Sequence, residues 1–254
     1  GQGAIRNHTK AIDSPTVLLV VTSISPRHHN AEAQAIAMKS WAYAGMLISS
    51  INSPEECDAL AEEYPTVEFI RSSRASSGLF KAPYAPISAM IDLAIERGAE
   101  TCILVNSDIE LRDPEGILPA YIEMAKDGLV FANRHDHNGD GMNPTRYDHG
   151  FDVFIINRRF FRLLPQTLFV MGQTWWDYWV PWRFIESGIP IQLVKDPIFL
   201  HHRHPVQYDQ KEWERMTEHF AWVEGYPVRG KVMTGRVAQQ ITNDVYRQIR
   251  RHAR

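Results

Sequence analysis

Cysteine is almost absent from this chain: there are two, Cys57 and Cys102, among 254 residues. That excludes a disulfide framework and a thiolate metal cluster, and both fall where small core side chains are expected. No run of about eighteen apolar residues occurs, so no membrane-spanning helix is expected. A surplus of one charge is missing too. The 27 Lys and Arg nearly balance 30 Asp and Glu, so nothing global points to nucleic acid or to an anionic membrane. Gly-x-Gly-x-x-Gly and Walker loops are absent, which counts against dinucleotide and P-loop binding. Residues 1–15 are polar and carry no signal-peptide pattern. They are expected to form a flexible N-terminal segment of a cytoplasmic protein.

What the chain does have is alternation. Apolar runs at 16–22, 46–50, 67–70 and 101–105 predict strands. Helical periodicity predicts helices over 31–44, from Ser53-Pro54-Glu55-Glu56 onward, and over 86–97. The second of these opens with a capping hydroxyl, proline at the first helical position and acids in the first turn. Gly45 and Gly98 end the other two. Such alternation implies an α/β fold with a mostly parallel sheet flanked by helices. Further on, helices are expected over 114–126 and 175–187, and strands over 129–132, 151–156, 191–194 and 198–201. Two C-terminal helices, over 210–224 and 231–250, close the chain. Residues 133–150, rich in Asn, Asp, His and Gly, have no period and read as a functional loop. The expected organisation is one domain over 16–208 with a C-terminal helical appendage over 209–254 packed on it.

Four groups of residues carry chemistry. The apolar run 101–105 ends in Asn106-Ser107-Asp108, delivering a carboxylate to a sheet edge where open α/β folds bind ligands. There Asp108 is suited to a hard divalent cation, and Asn106 to a ribose hydroxyl or a metal-bound water. The second group is His201-His202-Arg203-His204-Pro205, three imidazoles and a guanidinium that core packing does not explain. Imidazole is a ligand for metals such as Zn2+ or Mn2+ and Arg203 suits a phosphate. Extended chain puts His202 and His204 on one face, whereas a turn at Pro205 pairs His201 with His204. The third is Gly172-Gln173-Thr174-Trp175-Trp176-Asp177-Tyr178-Trp179-Val180-Pro181-Trp182, four tryptophans and a tyrosine around one carboxylate, where indole faces suit a sugar ring and a desolvated carboxylate suits general-base work. An aromatic core helix capped by Thr174 is the competing reading. The fourth collects hydroxyls and cations at strand ends, Thr22, Ser23, Ser25, Arg27, Arg71 and Lys81, as contacts for a nucleotide.

In the order of these parts the chain resembles the GT-A type of nucleotide-sugar-dependent glycosyltransferase, from about Val17 to Tyr208. The resemblance rests on the Asp-x-Asp-like Asn106-Ser107-Asp108, the acid at Asp177 and the late histidines at 201–204. It implies a GT-A, Rossmann-like sheet and transfer of a sugar from a UDP- or GDP-sugar donor to a hydroxyl of a glycan acceptor. Polysaccharide biosynthesis is the implied setting, and the chain is compatible with being one module of a longer protein. Asp108 with His201 and His204 would hold Mn2+ or Mg2+, Asp177 would be the general base of an inverting reaction, and Asn106 and Ser107 would contact the donor. Trp175 and Trp176 would orient the acceptor, and the loop 133–150 would close over the donor as a lid. Asn106 departs from the pattern by replacing the first acid, and a retaining reaction stays open. A non-catalytic carbohydrate- or nucleotide-binding module and a metal-dependent phosphohydrolase are the alternatives.

Overall fold

The computed structural model describes residues 17–75, 78–206, 208–228, 230 and 232–254. The N-terminal segment 1–15 and the expected helix start at Lys231 lie outside the described residues. In chain order the elements are β1 (Leu18–Thr22), α1 (Ala31–Tyr43), β2 (Ile48–Asn52), α2 (Pro54–Leu60), β3 (Val67–Arg71), α3 (Ile87–Glu96) and β4 (Thr101–Val105). There follow β5 (Ile109–Leu111), α4 (Leu118–Met124), β6 (Leu129–Ala132), β7 (His135–His137), β8 (Thr145–Arg146) and β9 (Val153–Asn157). A 3-10 turn (Arg158–Leu163), α5 (Trp176–Glu186), β10 (Ile191–Val194), β11 (Phe199–His202), α6 (Gln210–Val223) and α7 (Gly235–His252) complete the chain.

Among the described residues the strands form two sheets. The larger has seven strands in the order β10-β6-β9-β4-β1-β2-β3. Its neighbours run parallel except β9, which is antiparallel to both β4 and β6. Alternate residues of the central strands feed opposite cores. Leu19, Val21, Cys102, Leu104, Phe131 and Phe154 join α3, α5, α6 and α7 on one face. Val20, Ile103, Val105, Val130, Val153 and Ile155 join α1, α4 and the second sheet on the other. A sheet buried on both faces needs this apolar parity on both sides of each strand. The last helix contributes Ala238, Ile241, Val245 and Ile249 to the first core, the apolar stripe of an amphipathic helix. Arg236, Arg247 and Arg251 of this helix are exposed.

The second sheet, β5-β11-β7-β8, builds the site. It departs from the sequence expectation in two places. A strand, β5, begins at Ile109 directly after Asp108, and the aperiodic stretch 133–150 contains β7 and β8. Buried His135, Asp136 and His137 belong to a packed strand, so this part of the loop is no lid. Polar side chains hid it, because a strand lined by His and Asp offers no apolar alternation to read.

Local chemistry explains several boundaries. Asn30 caps α1 by accepting the Ala33 amide at 3.0 Å, and Ser53 caps α2 through the Glu56 amide at 3.2 Å. The helix expected from 114 starts only at Leu118, because the Asp113 carboxylate accepts the Ile117 and Leu118 amides at 2.7 and 2.8 Å. Thr174 does not cap α5. Trp175 occupies that position with φ 81°, in the left-handed region, and no side-chain cap forms. Such a conformation costs about 1–3 kcal/mol. It is held by the indole, which donates to Thr217 Oγ1 at 2.7 Å and stacks on Phe220.

Helix α1 grips the second sheet through Trp41, which is fully buried, donates from Nε1 to the Ile109 carbonyl at 2.9 Å and stacks on Phe199. Trp41→Phe keeps an aromatic ring but takes away the donor to a carbonyl next to Asp108. A loss of about 1–3 kcal/mol in urea unfolding is expected, and an unchanged midpoint would contradict this account of the α1–β5 contact.

Candidate active site

Strand β4 ends at Val105, and the turn 106–108 hands the chain to β5 at the C-terminal edge of the parallel strands. One oxygen of Asp108 is the focus there. Its Oδ2 lies 3.0 Å from His28 Nε2, 3.2 Å from His201 Nε2 and 3.2 Å from His204 Nε2. His201 and His204 are thus the pair that comes together, with ring centroids 4.9 Å apart. His202 faces the other way, towards Asn30 Nδ2 at 3.3 Å and stacked on His137.

The partners of the other ring nitrogens define what this cluster can hold. His201 Nδ1 meets Asp136 Oδ1 at 2.8 Å, and His204 Nδ1 meets the Pro205 carbonyl at 3.0 Å. Both partners only accept, so each imidazole donates from Nδ1. In the neutral ring Nε2 then carries a lone pair aimed at an oxygen that also carries lone pairs. Protons satisfy such a meeting, and so does a divalent cation. This donor set of a carboxylate and imidazole nitrogens fits Mn2+ or a similar ion. On distance alone, ligand atoms of His28, Asp108 and His204 all lie within 4.8 Å of one another.

The electrostatics follow from the same contacts. Burial alone would raise the pKa of Asp108, but hydrogen bonds from His201, His204 and His28 hold it well below the usual carboxylate range. Burial works against the charged form of His201 as well. Its bonds to Asp108 and Asp136 nevertheless raise it to about 9.

Around this focus stand groups that sequence reading missed. Arg134 Nε donates to Asp136 Oδ1 at 2.9 Å, and its NH1 lies 3.5 Å from Asp152 Oδ1. Asn106, standing where an acid is usual in the Asp-x-Asp pattern, donates to that same Asp152 oxygen at 2.9 Å. A carboxylate from β9's side thus stands beside the position that lacks one. The sequence signal was present, an acid near the start of the apolar run expected as a strand over 151–156. Because β9 is antiparallel, its beginning lies at the edge where its parallel neighbours end. His28 sits between β1 and the Asn30 cap of α1. Asp136 was hidden in a stretch without period.

A cleft of about 1220 Å³ adjoins the Asp108 cluster and extends to Asp177, Tyr178 and the start of α6. Asp177 accepts the Phe151 amide at 3.2 Å. Burial raises its pKa to about 7, outweighing that hydrogen bond, and the nearby Asp152 adds to the rise. Ser25, Arg27, Lys81, Asn106, Ser107 and the two tryptophans also line the cleft. Arg27 pairs with Glu56 at 2.9 Å, Lys81 pairs with Asp209 at 3.1 Å on the exposed rim, and Ser107 Oγ donates to Gln34 Oε1 at 2.6 Å.

Several expectations need correction. Thr22 is fully buried against Met171 and does not line the cleft. Arg71 is exposed at the C-terminal end of β3, the outermost strand of the sheet, paired with Asp58, and is also outside it. Arg203 is exposed and not among the lining residues. Trp175 and Trp176 are only 3% and 2% exposed, packed on Phe220 and Phe154. They form a floor under the cleft, with no open indole face for a sugar, because aromatic area is worth most when buried.

No protein-family model matches the chain, and no curated protein matches its sequence. Solved structures do match in shape. S. aureus TarS 1–349 in complex with UDP-GlcNAc aligns with a TM-score of 0.50 at 10% identity, covering 94% of this chain and 74% of that one. A second TarS 1–349 structure gives 0.51 at 11% identity, over 91% and 70%. The mannosyltransferase PcManGT from Pyrobaculum calidifontis, in complex with GDP-Man and Mn2+, gives 0.46 at 11%, over 94% and 73%. The TarS likeness, with the seven-stranded sheet, identifies the fold as the GT-A type.

In metal-free protein the raised His201 adds stability that is fully present below its ordinary value of 6.5 and lost as pH climbs through about 9. Thermal melts in chelator should therefore find the gap between the wild type and His201→Gln closing from neutral pH to alkaline pH. A gap that stays constant would contradict the pairing.

Proposed function

We propose that this chain is a metal-dependent glycosyltransferase, moving a sugar from a nucleoside-diphosphate donor to an acceptor hydroxyl with inversion. One observation carries the reading. A cation-competent cluster at Asp108 and a base-competent acid at Asp177 border the same cleft at the C-terminal edge of a GT-A sheet. Their environments push the two carboxylates in opposite directions, one kept ionised and the other titrating near neutrality. Such a split is how a site assigns different tasks to like groups.

In this reading His201, His204 and Asp108 hold a divalent cation, which when bound neutralises charge developing on the departing diphosphate. Ser25 and Arg27 lie on the nucleotide side, after β1. Asn106 and Ser107 lie between that side and the cluster. Asp177 Oδ1 or Oδ2 takes the proton from the acceptor hydroxyl as its oxygen attacks the anomeric carbon and the bond to the diphosphate breaks. Desolvation of the carboxylate, held against the Phe151 amide, withholds stabilisation by water and leaves it basic enough for that work. UDP-GlcNAc, the ligand of TarS, is the first donor to test, with a glycan as acceptor.

The metal-dependent phosphohydrolase reading calls for a second metal cluster. Among the described residues only the His28, Asp108 and His204 group gathers as a possible cation site. A binding module without catalysis offers no reason for a neutral-range acid opposite that cluster. No helix among the described residues is long and apolar enough to cross a membrane.

Asp177→Asn should lower transfer by about 10²–10⁴-fold while calorimetry finds donor binding nearly unchanged. The wild-type rate at saturating donor should rise with pH through about 7, as the base loses its proton. Turnover that survives the substitution, or a rate that falls over that range, would remove Asp177 from the role.

A further inference from the structure

Three imidazoles face one carboxylate oxygen at almost equal distances, and mutual distance alone would group His28 and His204 with Asp108. Their second nitrogens sort them differently. His201 Nδ1 faces Asp136 Oδ1 at 2.8 Å, and Arg134 Nε donates to that same oxygen at 2.9 Å, keeping Asp136 an anion. His204 Nδ1 faces a backbone carbonyl. His28 is the reverse case: the Asn30 backbone amide donates to its Nδ1 at 2.9 Å. A backbone N–H has no other role, so His28 Nδ1 bears the lone pair and Nε2 the proton.

From this we infer that Asp136 is a positioning residue, fixing His201 so that Nε2 is open to the cation, while the Asn30 amide excludes His28 from ligation. His28 instead donates from Nε2 to Asp108 and orients the carboxylate. This rests on the metal-dependent reading above, and it sorts the three histidines in a way that proximity alone does not.

The fold builds the sorting in. In the parallel ladder of β7 and β11, Asp136 and His201 are register partners, so their side chains leave the sheet side by side on one face. The His28 contact is equally local. It lies two residues before the cap of α1, and capping by Asn30 places its own amide under the ring. Carboxylate partners behind ligating imidazoles fix ring orientation and raise ligand basicity, and their loss typically lowers metal affinity by about 10–100-fold.

The test uses the full chain, nitrogen-labelled and loaded with NMR-active cadmium in place of Mn2+. Scalar coupling to cadmium is expected at Nε2 of His201 and of His204, with His28 uncoupled and its Nε2 proton retained. Asp136→Ala should weaken Mn2+ binding, read from the free-ion electron paramagnetic resonance signal, by about 10–100-fold. Asp136→Asn, whose amide oxygen still accepts the Nδ1 proton, should recover most of that loss and guards against a folding defect. Cadmium coupling to His28, or unchanged Mn2+ affinity in Asp136→Ala, would overturn the sorting alone. Failure of the wild-type chain to bind either ion would overturn the metal reading, and the sorting with it.

Discussion

The site depends on the register of one short strand. β11 lies between β5 and β7, and at His201 this places Ile109 on one side and Asp136 on the other. Asp108, one residue before Ile109, and Asp136 thereby become the two carboxylates that His201 bridges. A slip by one residue would turn His201 to the opposite face and separate all three. Burying two acids is favourable only with partners of this kind, because an ion left unpaired in the interior costs several kcal/mol. The stability of the second sheet and the geometry of the cluster are therefore one property, and Trp41 ties it to α1 through the Ile109 carbonyl.

The large sheet does a different job. It aligns the ends of β1 and β4 with the beginning of β9, so that Asn106 and Asp152 meet across two strands running in opposite directions. Beyond them the strained backbone at Trp175 swings α5 in, and Asp177 arrives with its carboxylate buried against the Phe151 amide. The cleft is thus bounded by a charged, histidine-rich wall and an aromatic, desolvating one. Transfer of a group carrying negative charge, with removal of a proton from its acceptor, needs one wall of each kind.

Much of this was legible in the sequence, and the failures share a physical cause. Apolar runs marked β4, β6 and β10 to the residue: β4 and β6 are buried throughout, which leaves little freedom in composition, and β10 alternates buried Ile191 and Leu193 with half-buried neighbours. Caps such as Ser53 and stops such as Gly45 were readable because they act on their immediate neighbours. Asp108, His201 and His204 were readable as chemistry without an apolar explanation. What stayed hidden depended on long-range pairing. β7 is a strand of His and Asp stabilised by β11, some 65 residues later by the Asp136–His201 contact, and no local pattern announces it. Asp152 was overlooked because strand direction decides which end of a strand faces the cleft. Trp175 and Trp176 were read as sugar platforms because sequence gives the presence of an aromatic face, not whether Phe220 or Phe154 already covers it.

The convergence of Asp108, His201 and His204 on a single cation is the claim on which the functional account stands. Anomalous scattering at the manganese edge, from a crystal soaked with Mn2+ and UDP, addresses it directly. The account predicts one strong peak within coordination distance of Asp108 and of the Nε2 atoms of His201 and His204, with the diphosphate against it in the cleft. UDP bound with no manganese peak there, or a peak elsewhere on the molecule, would contradict it.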